Sequence, residues 1–421
     1  MKVYFETYGC TMNRGDTEVM KGLVEGSHEI VGDVKDSDIV VLNSCGVIGY
    51  TERKILKRIS SLDKKVIVAG CLPKIDLESV KDSKVEGILS NKSLALINEA
   101  IDSVAKGEEF VNLDSIERPH MLKRRGGFPI AIVPIAEGCL GHCTYCGTRF
   151  ARGRLESFPM EFIVEEVSGC IPRGYREIQL TAQDTGVYGA DIGADLAKLL
   201  DRVSRIEGGF RVRVGMMNPR YVLNYLEELI AAFGSEKVYK FLHLPVQSGS
   251  DGILEDMERG YSVREFLEIV EAFRKSFPDL TLSTDVIVGY PTEGDDAFRD
   301  TYNLVEKIRP DILNITRFSP RPKTRAAKLK DVPDRIKKDR SRALTKLSQK
   351  IGFEINKGWI DREVNILVTE EGRGDTLLAR TDTYKQVIVK NLGLGEFGRT
   401  KIEDATPSYL IGELLDHSTT T

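Results

Sequence analysis

Seven cysteines stand among the 421 residues, and three of them are spaced for chemistry. Cys139, Cys143 and Cys146 form a C-x3-C-x2-C run within EGCLGHCTYCGTR, directly behind an apolar stretch that reads as a strand. Three thiolates leave a four-coordinate zinc site one ligand short, and no partner C-x2-C lies nearby. Around a cubane iron–sulfur cluster, three cysteines instead leave one iron without a protein ligand. That open iron can take a chelating small molecule, such as the amino and carboxylate groups of S-adenosylmethionine (SAM). The cluster can then pass one electron into the adjacent sulfonium bond. A zinc knuckle with a fourth ligand from elsewhere is the competing reading. The spacing, the Tyr145 between the last two cysteines and the strand context favour the cluster.

Three further cysteines are scattered in sequence but recur at equivalent places. Cys10, Cys45 and Cys71 each follow a short apolar run that reads as a strand, and each neighbours a glycine (Gly9, Gly46, Gly70). In a parallel sheet the carboxyl ends of the strands share one edge, where ligands bind in doubly wound folds. The three should therefore converge, and the glycines would let backbone approach a bulky cluster. Again there are three ligands and one open iron. Buried cysteines also serve as small hydrophobes, which is the reading left for Cys170.

The elements that must position these residues follow from periodicity. Residues 2–8, 38–43, 65–69 and 86–90 read as strands, with helices such as 16–25 and 51–62 between them, so the N-terminal region predicts a doubly wound parallel sheet. Residues 112–128 read as a linker. A second series, 130–136, 177–181, 211–215, 240–244, 281–288 and 312–318, alternates with helices such as 161–170 and 263–277. It predicts an α/β architecture, a partial (β/α)6 barrel related to the eightfold TIM-like barrel, whose catalytic residues lie at strand ends. Four short β-rich runs, 364–368, 376–380, 386–389 and 399–405, predict a small closed β-barrel at the end.

Composition is that of an ordinary globular chain: 41% hydrophobic and 29% charged, with a mean hydropathy of −0.21. The longest apolar runs are strand-length, so no membrane span is expected. The first residues lack the pattern of a secretion signal, so a cytoplasmic location is expected, where thiols stay reduced and metal chemistry outranks disulfides. Net charge is −4, so any nucleic-acid affinity must be local. From residue 320 to 350 there are twelve Lys or Arg against three Asp, enough for a phosphate-binding stripe or a solvated helix face. A smaller basic group comprises Arg118, His120 and residues 123–125.

These motifs, in this order, resemble the radical SAM methylthiotransferases across nearly the whole chain. ETYGCTMNRGDTE, VLNSCGV and VAGCLPK resemble that family's N-terminal cluster motifs, and EGCLGHCTYCGTRFARGRLES its radical SAM motif. LTAQDTGVYG, RVGMMNP, HLPVQSGSD and STDVIVGYPTE resemble its later barrel motifs, and the last region its RNA-binding TRAM barrel. Within the family, TYGCTMNRGDTE, AGCLPK and GCLGHCTYCGTRFARG look most like the archaeal and eukaryotic threonylcarbamoyladenosine branch. The resemblance implies domains at 1–112, 128–350 and 356–416, two [4Fe-4S] clusters and SAM.

It also implies conversion of N6-threonylcarbamoyladenosine to its 2-methylthio derivative at position 37 of tRNA. One SAM would methylate a sulfur held at the cluster of Cys10, Cys45 and Cys71. Another, at the cluster of Cys139, Cys143 and Cys146, would yield the radical that removes hydrogen from adenine C2. Candidate SAM contacts are Tyr145, Gln183, Asp184, Gln247, Ser248, Gly249, Gly289, Pro291 and Glu293, and a glycine turn at 289 would pass beneath the adenine. Candidate contacts to the anticodon loop are Arg149, Arg152, Arg154, Arg335, Lys337, Lys338 and Arg340. The final barrel is net acidic, with seven Lys or Arg against ten Asp or Glu over residues 359–414. Either Arg373, Arg380, Lys385 and Arg399 make a local basic face, or the basic stretch at 320–350 does most of the electrostatic work. A reducing donor such as flavodoxin or ferredoxin and a monomeric state complete the expectation. Alternatives are the same reaction on isopentenyladenosine or on a ribosomal protein aspartate, and an iron–sulfur RNA-binding protein without activity.

Overall fold

The computed structural model describes residues 1–47, 49–116 and 126–415, so the basic group at Arg118, His120 and 123–125 lies outside the described residues. The chain forms two compact units. Met1–Gly126, Glu137–Glu156 and Ser319–Leu329 make the first; Gly127–Ala136, Ser157–Phe318 and Lys330–Thr421 make the second. All six candidate ligand cysteines belong to the first.

That first unit is built on six parallel strands, β1 (Lys2–Thr7), β2 (Glu29–Ile30), β3 (Ile39–Ser44), β4 (Lys65–Gly70), β5 (Gly87–Leu89) and β6 (Phe110–Asn112), in the order β2-β1-β3-β4-β5-β6. The sequences IVVLNS and KVIVAG are almost continuously apolar because β3 and β4 are covered on both faces. Alternate residues go to opposite sides. Ile39, Val41 and Ile67 pack with Val24, Ile97, Ile101 and Val104, and Leu42, Val66 and Val68 pack with Ile55, Ile59 and Val80. The strands β2 and β6, of two and three residues, are too short to show a period, and β6 claims the first residue of the expected linker. The helix expected from residue 16 begins at Thr11 and runs to Val24, because Cys10 holds the extended N-cap conformation.

In the second unit, β7 (Ile130–Pro134), β8 (Glu177–Thr181) and β9 (Arg211–Val214) form one parallel sheet. A second comprises β10 (Phe241–His243), β11 (Thr281–Val288) and β12 (Ile312–Arg317). A parallel bridge pairs Val212 of β9 with Val238, three residues ahead of β10, so the six parallel strands follow one another as expected. The helix Asp334–Lys357 follows. Its residues Lys337, Arg340, Leu344, Leu347 and Ile351 are buried at i, i+3, i+4 spacing.

The chain ends in a closed barrel of β13 (Glu363–Glu371), β14 (Leu377–Thr381), β15 (Gln386–Val389), β16 (Phe397–Ala405) and β17 (Leu410–Leu415), ordered β13-β14-β15-β17-β16. The fifth strand escaped the pattern reading because Gly412 interrupts its apolar run. A Cβ there would lie 2.4 Å from the Thr400 Oγ1 of β16, so close strand approach requires the glycine. No helix among the described residues is long and apolar enough to cross a membrane.

The barrel is fixed to the six-stranded series by a buried aromatic–polar joint. Tyr384 packs edge-on against Tyr239 and at a tilt against Phe241, each at 4.8 Å between ring centroids, and its hydroxyl donates to Glu177 Oε1 at 3.2 Å. Lys385 Nζ reaches Asp311 at 2.6 Å and Asn356 at 2.9 Å. Tyr384→Ala should cost about 3 kcal/mol from the lost burial and the cavity left. The expected result is a lower denaturation midpoint in urea at unchanged slope.

Candidate functional site

The strand order turns back on itself between β1 and β3. Ligands of doubly wound sheets bind outside the carboxyl ends of strands at such a switch point. Cys10 follows β1 as the N-cap of the helix Thr11–Val24, Cys45 follows β3, and Cys71 follows β4 as the N-cap of Leu72–Ile75. The structure brings these three together. The Sγ atoms of Cys10 and Cys71 each lie 3.8 Å from the same Oδ1 of Asn13, so they stand within twice that distance of each other. A Cβ on Gly9 would lie 2.7 Å from the Cys45 Cβ. The neighbouring glycines thus serve protein packing: Gly9 admits Cys45, Gly46 admits Ile75, and Gly70 admits Asn43 and the Ser44 backbone.

Burial pushes the Cys71 thiol up to about 12 and the Cys45 thiol upward, against the charge of a nearby arginine, Arg152. Ionised sulfurs here would need a positive partner, a role a bound metal could fill. Among the described residues no three His, Cys, Asp or Glu side chains close around a single ion; an iron–sulfur cube takes a wider triangle.

Cys139, Cys143 and Cys146 lie on a loop between β7 and the short helix Thr148–Arg152. The Gly141 amide donates to Cys139 Sγ at 3.2 Å, and a Cβ on Gly141 would lie 3.3 Å and 3.7 Å from the Cys139 and Cys143 sulfurs. The Cys146 amide donates to the Cys143 carbonyl at 3.1 Å. A loop in which two of the thiols lie beside a residue without a side chain, with the third cysteine three residues on, fits a cluster held by three cysteines. Cys170 is buried in its helix, as a core residue.

Between the two sets of cysteines lies a buried polar network that the sequence reading missed. Arg152, 1% exposed, donates from Nη1 to Glu137 Oε1 at 3.0 Å, and from Nη2 to Asn13 Oδ1 at 2.9 Å and Asp16 Oδ2 at 2.5 Å. Asn91 and Lys92 complete the shell of Glu137 at 2.8 Å and 3.1 Å. Asn13 is itself oriented by donating to the Tyr8 and Ser44 carbonyls. One signal was available: Asn13, Asp16 and Thr17 put a polar i, i+3, i+4 face on an otherwise core-facing helix.

The strand-end residues of the second unit sort differently. Asp184 is fully buried, and its Oδ1 accepts from the Gly186 and Asn218 amides, both at 3.0 Å; its Oδ2 has no partner among the described residues. Gln183 precedes it. Gln247 holds a left-handed φ of 72°, a strained conformation that clusters at functional sites. Ser248 bonds Thr301 Oγ1 at 3.3 Å and the Ser250 amide at 3.2 Å, and the Thr301 hydroxyl also takes the Gly249 amide. The reason for glycine at 289 is packing: its φ is 71°, and a Cβ there would lie 2.2 Å from Lys337 Cγ. Glu293 Oε2 takes the Gly289 amide and Arg340, both at 2.6 Å, while Oε1 is buried with no partner among the described residues. Also unforeseen, His243, Asp285 and Asn314 join across three adjacent strands at 3.0 Å and 2.6 Å.

Three expected RNA contacts must be withdrawn. Arg152 is consumed by Asp16 and Glu137, Arg340 by Glu293 and Asp295, and Lys337 by Asp331 and the Phe318 carbonyl. Each occupies a core-facing position. On the terminal barrel, Arg380 pairs with Glu370 and Lys385 with Asp311, so neither belongs to an open basic face. Arg154, Arg335 and Lys338 are exposed, and Arg149 is half-buried beside His142.

Burial raises the Asp184 carboxyl to about 6 from 3.8, despite the two amides and Arg259. The folded state therefore holds this proton more tightly than the unfolded chain. Stability from that proton is complete below pH 4 and is lost as the pH climbs through 6. Asp184→Asn keeps the Oδ1 acceptor and escapes the loss. At about 1.4 kcal/mol per unit, wild type should lose on the order of 3 kcal/mol against the variant between pH 4 and pH 7. Urea titrations across that range check it.

Family models match the chain in three places: the Radical SAM superfamily over residues 133–305, the uncharacterized protein family UPF0004 over 2–89 and the TRAM domain over 361–415. Among solved structures, the radical SAM methyltransferase TsrM from Kitasatospora setae aligns over 77% of this chain and 75% of its own, at a TM-score of 0.59 and 13% identity, a likeness of fold. The open parallel series with three cysteines behind its first strand is that of a radical SAM enzyme. A probable threonylcarbamoyladenosine tRNA methylthiotransferase of Archaeoglobus fulgidus is 49% identical over 98% of this chain and 99% of its own. The Danio rerio threonylcarbamoyladenosine tRNA methylthiotransferase is 35% identical over 99% of this chain and 79% of its own. The chain belongs to the threonylcarbamoyladenosine tRNA methylthiotransferase family.

Proposed function

We propose that this enzyme adds a methylthio group to C2 of N6-threonylcarbamoyladenosine at position 37 of tRNA, using SAM and two [4Fe-4S] clusters. The observation that carries the reading is that Cys10, Cys45 and Cys71 meet at a sheet switch point within the same compact unit as Cys139, Cys143 and Cys146. When bound, the clusters and SAM supply a one-electron reduction, a hydrogen-abstracting radical, a methyl group and a site for sulfur.

The protein's own residues hold and orient. Cys139, Cys143 and Cys146 ligate one cluster, with Gly141 keeping the space beside the Cys139 and Cys143 sulfurs clear. Cys10, Cys45 and Cys71 ligate the other, with Asn13 fixing the spread of two sulfurs. Asp184, Gln247 and Glu293, together with Tyr145, Gln183 and Ser248, contribute to SAM; Asp184 Oδ2 and Glu293 Oε1 are buried acceptors with capacity for a ligand donor. Arg149, Arg154, Arg335 and Lys338 are the cations left for anticodon-loop phosphates, whose contacts add affinity without reading sequence. Domains at 1–112, 128–350 and 356–416, a low-potential donor such as flavodoxin or ferredoxin, a monomeric state and a cytoplasmic location belong to the same proposal.

The test is nucleoside mass spectrometry of tRNA from a deletion strain. We expect 2-methylthio-N6-threonylcarbamoyladenosine to vanish and its precursor to accumulate. Loss of methylthio-isopentenyladenosine instead, or of a modified ribosomal aspartate, would overturn the substrate assignment.

A further inference from the structure

We propose that Arg152 is a positioning residue for the cluster of Cys10, Cys45 and Cys71, fixing its electrostatic environment from within the other cysteine loop. The inference rests on the two-cluster reading above. Arg152 ends the helix Thr148–Arg152, six residues after Cys146. Its guanidinium is buried and bonds Asn13, Asp16 and Glu137. It bonds the Asn13 Oδ1 that also lies 3.8 Å from both Cys10 and Cys71. The same fork takes Asp16, on the helix that Cys10 caps, and Glu137, two residues before Cys139. Both ends of the radical SAM loop are thus tied to the residue that separates two sulfurs of the other set.

A buried ion pair of this kind contributes little net stability, because desolvating the charges offsets their attraction. Its effect here is on neighbouring charge. A cation fixed in a dry site interacts strongly with any anionic group close by, and a thiolate-ligated cluster gains negative charge on reduction. Arg152 should therefore favour the reduced state of the N-terminal cluster, and Asp16 should oppose it.

The experiment uses the full chain with Cys139, Cys143 and Cys146 replaced by alanine, so that only the N-terminal cluster reports. Iron analysis comes first. If this background holds no iron, the two-cluster reading fails, and this inference with it. If it holds roughly four irons per chain, the midpoint potential is measured by electron paramagnetic resonance titration for Arg152→Met, Arg152→Lys and Asp16→Asn.

The expected order is Arg152→Met more negative than the parent, Arg152→Lys close to it, and Asp16→Asn more positive. A role in packing alone would move iron content or stability without that signed order. Equal potentials in all variants that load iron would overturn the proposal, as would a shift of the same sign from Arg152→Met and Asp16→Asn. If Arg152→Met fails to fold, the Lys and Asn variants still decide it: Asp16→Asn must rise while Arg152→Lys stays.

Discussion

An enzyme in which Cys10, Cys45 and Cys71 are all alanine is expected to cleave SAM and yet form no methylthio product. Cys45 and Cys71 are buried at the ends of the central strands, where a free cysteine behaves as a small hydrophobe, so alanine should leave the sheet intact. The radical SAM loop keeps its own ligands and its Gly141 geometry. Iron should therefore fall from roughly eight to roughly four per chain on the cubane assumption. Anaerobic reduction with SAM should still release 5′-deoxyadenosine, while modified tRNA drops below detection. Iron unchanged near eight would show that the N-terminal cysteines ligate nothing. Loss of 5′-deoxyadenosine as well would show that the two functions cannot be separated.

Gly138→Ala should produce the opposite division. Gly138 immediately precedes Cys139, holds a φ of 77°, and a Cβ there would lie 1.8 Å from the Arg154 carbonyl oxygen. No rotamer relieves that contact, because both partners are backbone, so residues 137–154 must rearrange. The cost exceeds the roughly 1 kcal/mol that a left-handed residue alone incurs. We expect iron to fall to roughly four, 5′-deoxyadenosine formation to disappear, and the N-terminal cluster to remain. Gly107→Ala is the control. Its φ is 85° with nothing within 4 Å of the added Cβ, so it should carry the conformational cost and retain full iron. Equal loading of the two variants would refute the steric account.

How much of this was legible in the chain depends on the range of the signal. Strand positions in both α/β units came from runs such as IVVLNS and KVIVAG, whose apolar continuity is a local consequence of burial on two faces. The helix start at Thr11 was misplaced because Gly15 and the polar residues Asn13 and Asp16 dilute its first turns. Lys337 and Arg340 were read as a basic stripe, although their spacing to Leu344, Leu347 and Ile351 put them on the buried face.

The sequence alone determined the ligand number and spacing of Cys139, Cys143 and Cys146, and the placement of Cys10, Cys45 and Cys71 behind strands, since both are properties of neighbouring residues. Tertiary structure decided which charges face solvent and which are buried in pairs. Asn13 and Arg152 are 139 residues apart, and Coulomb attraction in a dry interior depends on distance in space, which no local period records.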